Sequence, residues 1–218
     1  MKQEKIIIYG MIFLTSIFTG CQKDLLENPP VDNSLTELPV NGGKKMISIE
    51  QNGVGIVFCL LNEKGKPATT FKEGENFKFH LAIENNVKPD KSMYIVSDFL
   101  RNPDLFLVYN SEGDSIGKPV IWDGMDKISD GYPIKKGDVW TLEFPWHEER
   151  GTEQPFDIDN AIRVLQHYFI GTSQPALPKG QYSTKITQQF CLGRYLPHPQ
   201  HEEICTDTLS LKINFEIK

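Results

Sequence analysis

The sequence predicts an all-β fold: an antiparallel β-sandwich with one short helical insertion, behind an export signal and a flexible tether. Three observations predict it. Several segments alternate apolar and polar residues with a period of two, and Gly, Asn and Asp clusters separate them. No regular succession of strand and helix runs along the chain, which argues against a parallel sheet. At 218 residues, one core is the default expectation.

The first 20 residues read as a signal peptide. Lys2 and Lys5 give a charged start, and the apolar stretch from Ile6 to Phe18 is short for a bilayer span. Phe18-Thr19-Gly20-Cys21 then resembles the lipobox of bacterial lipoproteins, with Phe where Leu is commoner. The resemblance implies cleavage before Cys21 and lipidation of its sulfur. A single acyl chain gains about 0.8 kcal/mol per buried methylene and holds only marginally, so stable anchoring implies several chains.

Residues 21–45 carry Pro29, Pro30, Pro39, Gly42 and Gly43 without sustained periodicity and read as the tether. Lys23, Asp24 and Glu27 loosely resemble the charged export signals of surface lipoproteins in Bacteroidota-type bacteria. That resemblance implies an outer-membrane, cell-surface address.

The folded domain is expected over residues 46–218. Leu209, Leu211, Ile213, Phe215 and Ile217 face one way, against Ser210, Lys212, Asn214 and Glu216, as in a half-buried strand. Phe77 to Ile83 and Trp140 to Phe144 repeat the pattern, placing Trp140 in the core. Val54–Leu61 and Leu105–Tyr109 are continuous apolar runs of strand length, suited to strands covered on both faces. Turns are expected at 62–65, 73–74, 111–114 and 136–138. The insertion is placed at Phe156–Phe169, where Ile158, Ile162, Leu165 and Phe169 fall three and four apart, although a strand also fits those residues.

The segment Leu177-Pro178-Lys179-Gly180-Gln181-Tyr182 resembles a tyrosine corner, in which the Tyr hydroxyl returns to the backbone a few residues upstream. Glu75–Asn85, the Lys136–Asp138 turn with its Trp140 strand ending at Pro145-Trp146, and Pro178–Tyr182 follow one another in an order that resembles Ig-like domains of the intracellular proteinase inhibitor (BsuPI) type. The resemblance covers roughly residues 70 to 190. It implies an Ig-like sandwich and, as an alternative function, protease inhibition outside the cytoplasm. The export signal departs from an intracellular inhibitor.

An oxidising exported setting permits disulfides. A Cys191–Cys205 bridge would close the intervening loop and stabilise by about 3 kcal/mol, leaving Cys59 as a small buried hydrophobe. His198 and His201, with Glu202 and Glu203, are thin material for zinc. Asp123, Asp126 and Asp130, or Asp157 and Asp159 with Asn160, offer oxygens without the order of a calcium loop. No metal or cofactor is therefore expected.

The chain has no Gly-x-Ser-x-Gly elbow and no His-Glu-x-x-His helix. Gly113–Lys118 has the wrong spacing for a phosphate loop, and Pro119 stands where a hydroxyl is needed. The adjacent acids Glu148 and Glu149 read as solvent-facing. A net charge of -6 argues against nucleic acid. Trp122, Tyr132, Trp146 and Tyr195 lie in or beside expected loops and are the candidate ligand-stacking residues. The expected function is non-catalytic binding or an accessory role beside a TonB-dependent uptake system for glycans or peptides, with partners at the membrane through Cys21 and in a transporter complex. A metal-assisted or glycan-active enzyme is the third reading.

Overall fold

The computed structural model describes residues 35–40, 42–88, 93–122, 132–147, 169–172, 174–195 and 201–218. The strands, numbered along the chain, form three larger sheets and one pair. In the first sheet β1 (Leu35–Leu38), β16 (Leu209–Ile217), β13 (Gly180–Gln188), β7 (Val108–Asn110) and β8 (Ser115–Gly117) lie side by side, and β4 (Thr70–Phe71) joins the far end of β16. The second orders β11 (Val139–Pro145), β5 (Lys78–Asn85), β3 (Val54–Leu61) and β2 (Met46–Gln51). The third orders β10 (Tyr132–Ile134), β6 (Met93–Ile95), β14 (Cys191–Tyr195) and β15 (His201–Cys205), and β9 (Val120–Trp122) pairs with β12 (Phe169–Gly171).

Pairing is antiparallel except where β1 and β4 run parallel to β16. The one helical segment among the described residues is a 3-10 turn at Ser97–Arg101. Of the expected insertion, 156–168 lies outside the described residues, while Phe169 opens β12.

The period-two pattern places the core where alternation demands it. In β16 Leu209, Leu211, Ile213, Phe215 and Ile217 are buried, and Phe77, Phe79, Leu81 and Ile83 are buried from the second sheet. Phe77 and Phe215 meet at 5.2 Å, so the first two sheets face each other across aromatic rings. β3, paired on both sides, is buried at every position but Val57. Its hairpin with β2 turns through Asn52 and Gly53, both at positive φ (54° and 82°), the backbone that matches the twist of the flanking strands. A Cβ on Gly53 would come within 2.9 Å of backbone atoms of Val87, which ties glycine to this turn.

Two expectations need correction here. Leu105–Leu107 is not part of a strand. Asn102 accepts from the amide of Asp104 at 2.9 Å, and backbone bonds Leu105 to Asn102 and Leu107 to Asp104 close successive turns. Phe106 sits at φ 61°, a conformation costing a bulky residue about 1–2 kcal/mol, and burial of its ring against Phe79 and Phe144 offsets that strain. The sheet also begins before residue 46, because Leu35–Leu38, inside the expected tether, pairs with Ser210–Ile213. Glu37 accepts from Lys212 at 3.0 Å and Leu38 is buried, which supplies the reason.

The corner at Tyr182 is present: its hydroxyl donates to the Pro178 carbonyl at 2.9 Å. Cys191 and Cys205 form a disulfide between directly opposed residues of β14 and β15. The segment expected as a loop between them is largely this hairpin, with 196–200 outside the described residues.

Candidate functional site

Of the four candidate aromatics, Trp146 is the one whose side chain is among the described residues. Trp146 is buried: its ring stacks on Phe77 at 5.9 Å with an interplanar angle of 8°, and its Nε1 donates to the Pro175 carbonyl at 2.9 Å. It is a core residue, a correction to its assignment as a stacking platform. The alternation of Trp140, Leu142 and Phe144 runs on in phase to Trp146, and that was the available signal. Trp122 ends β9, Tyr132 opens β10 and Tyr195 ends β14, and their side chains are outside the described residues. In register Tyr132 is opposite Ile95, and Tyr195 opposite His201.

The outer face of the first sheet carries a groove of about 550 Å³. Its floor is formed by Gln181 and Ser183 on β13 with Lys212 and Asn214 on β16, and its walls by Glu37, Pro39 and Val40 and the Asn110–Gly113 turn. Alternation places these polar groups outward, since Tyr182, Thr184, Ile213 and Phe215 take the inward positions. Lys212 is opposite Lys185 in register, a like-charged juxtaposition that Glu37 relieves from the parallel neighbour. Glu37 Oε1 accepts from Lys212 Nζ at 3.0 Å and Asn214 Nδ2 at 2.6 Å, and Asn214 Nδ2 also donates to the Leu38 carbonyl at 3.1 Å. Asn214 and then Lys212 hold the Glu37 carboxyl below the ordinary carboxylate range, so it is ionised at neutral pH.

The opposite wall is rigid for a local reason. Asn110 Oδ1 accepts from the amides of Glu112 at 3.0 Å and Asp114 at 2.8 Å, closing the β7–β8 turn. The phosphate-loop-like segment Gly113–Lys118 is thus a hairpin arm. Tyr109, opposite Ser183 in register, lies on the same outer face, and its phenol is raised by burial first and by neighbouring Asp104 second.

A second constellation escaped sequence reasoning because four strands must pair before it exists. Met46, Cys59, His80 and Glu143 form one row across β2, β3, β5 and β11 on the outer face of the second sheet. His80 Nδ1 and Glu143 Oε1 are 2.8 Å apart. Thiol, imidazole and carboxylate in that order can in general activate a nucleophile. Here the thiol is 1% exposed, and burial first, then the Glu143 charge, push it up to about 12. The neutral thiol is the species this site holds.

A pH dependence follows. Above the ordinary thiol value of 9.0 the unfolded chain loses the proton and the folded chain keeps it, so stability is full below 9.0 and falls toward about 12. Denaturation midpoints measured across that range should decline for the native protein and decline less for Cys59→Ala. A Cys59→Ala slope equal to that of the parent would contradict the assignment.

Among the described residues, the cluster of metal-ligand types is Cys191, Glu203 and Cys205, and two of its members are tied in the disulfide. His198 and the acidic candidates Asp123, Asp126, Asp130, Asp157, Asp159 and Asn160 lie outside the described residues, as do Glu148 and Glu149. His201 opens β15, with its side chain outside them. No family model, curated protein or solved structure matches the chain.

Proposed function

We propose that this chain is an exported lipoprotein, cleaved before Cys21 and held by lipid at the outer-membrane surface, whose Ig-like sandwich serves as a non-catalytic binding or accessory subunit of a nutrient-uptake complex. The observation that carries the proposal is Phe18-Thr19-Gly20-Cys21, following a basic start and a short apolar stretch. An Ig-like sandwich is supported by the Tyr182 hydroxyl bonded to Pro178 and by opposed antiparallel sheets over one aromatic core. A binding role is supported by the polar groove, whose side chains stand on paired strands and a locked turn, the kind of rigid frame that limits the ordering cost of a ligand.

Cells expressing the chain and fed labelled palmitate should incorporate label into a membrane-bound mature form, and Cys21→Ser should remain unlabelled with residues 1–20 attached. A native pull-down of the labelled form should bring down a barrel transporter. Recovery of the parent protein unlipidated in the cytosol would remove the proposal.

A further inference from the structure

We infer that the groove on the first sheet is a binding site for a neutral oligosaccharide, an inference that rests on the binding-module reading and names its ligand class. The groups left uncommitted in the groove decide the class. Glu37 takes both of its donors on Oε1, which leaves Oε2 without a partner among the described residues. Asn214 donates through Nδ2 to Glu37 and Leu38, leaving its Oδ1 open. The side chains of Gln181 and Ser183, one strand away, carry no hydrogen-bond partner among the described residues. The set offers a carboxylate oxygen and an amide oxygen as acceptors, with a hydroxyl and a second amide that both donate and accept. Saccharide hydroxyls, each donor and acceptor at once, meet all of them.

Charge and backbone disfavour the competitors. Lys212 and Glu37 neutralise each other at 3.0 Å, and Glu112 on the wall is acidic, so the groove offers no uncompensated positive charge to a phosphate, a uronate or a peptide carboxylate. A peptide that binds by strand addition needs an unpaired sheet edge. The floor strands β13 and β16 are each paired on both sides, β13 with β16 and β7, β16 with β13 and β1. Pro39 and Val40 add an apolar strip suited to the C–H face of a sugar ring, and the groove's volume of about 550 Å³ falls within the usual range for ligand sites.

The test uses the full chain solubilised in detergent, titrated calorimetrically with maltohexaose, cellohexaose, xylohexaose and mannohexaose, with a hexagalacturonate and a polar hexapeptide as competitors. At least one neutral hexaose should bind with saturable heat. Glu37→Gln should weaken that binding about tenfold or more, the effect of degrading a charge-assisted hydrogen bond, and Ser183→Trp, which fills the floor, should abolish it. Both variants should keep a cooperative unfolding transition, and Gln181→Ala, which changes the floor without touching β1, should also weaken binding. Absence of heat from all four neutral hexaoses, tighter binding of the hexagalacturonate or hexapeptide, or neutral-sugar affinity indifferent to Ser183→Trp and Gln181→Ala would overturn the assignment. Failure here is distinct from failure of lipid anchoring, which the palmitate label reads on its own.

Discussion

Phe77→Ala is expected to remove about 3–5 kcal/mol of unfolding free energy, the range for truncating a fully buried aromatic. The ring lies within 5.0 Å of Phe71, 5.2 Å of Phe215, 5.6 Å of Phe79 and 5.9 Å of Trp146, measured between centroids. Phe71 and Phe215 stand on the first sheet, whereas Phe79 belongs to the second and Trp146 follows its edge strand. The void left by alanine would be walled by large rings fixed on separate backbones, and such a site collapses poorly. The backbone is held as well, since the Phe77 carbonyl accepts from the Trp146 amide at 2.8 Å. Urea unfolding should show a lower midpoint at unchanged slope, and Phe77→Leu should lose much less. A loss below about 1 kcal/mol for alanine would mean that the ring cluster does not hold the sheets together.

The double replacement Cys191→Ala, Cys205→Ala is expected to cost about 3 kcal/mol, from a cross-link spanning a sequence separation of 14. Most of that effect should come from the unfolded chain. In the folded hairpin, Thr206 donates its amide to the Phe190 carbonyl at 2.9 Å and accepts the Phe190 amide on its hydroxyl at 3.1 Å, so the base of the hairpin is fastened independently of sulfur. Unfolding with and without reductant should therefore differ by about that amount, while hydrogen exchange at β14 and β15 in the reduced native state stays close to that of the oxidised form. Melting of the hairpin alone on reduction would place the effect in the folded state instead.

What was legible in the sequence was local. The alternation of Leu209 to Ile217 specified an inward face without knowledge of a partner, the Pro178–Tyr182 spacing encoded its own hydrogen bond, and Cys191 and Cys205 flanked a segment short enough to close. What was missed needed pairing. Glu37 looked like tether until Lys212 and Asn214 were brought beside it, and the Cys59, His80 and Glu143 row appears only when three strands are in register. Leu105–Leu107 failed for another reason: an apolar run states that side chains are buried and leaves the backbone open, and Asn102 made it a turn. Pro145 reads as the end of a strand, yet the inward phase of Trp140, Leu142 and Phe144 continues one step further and buries Trp146.

The parallel pairing of β1 with β16 has a mechanical consequence for the proposed anchored form. Were the chain held upstream of Leu35 as proposed, a load directed along β1 would act parallel to β16, and its bonds would resist together in shear. The Glu37 contacts to Lys212 and Asn214, and the Thr69 hydroxyl donating to the Val40 carbonyl at 2.6 Å, act as the bolts of that latch. With only Leu38 buried, β1 should yield before the core does, paying out leash at roughly 3.3 Å per residue while the sandwich stays intact.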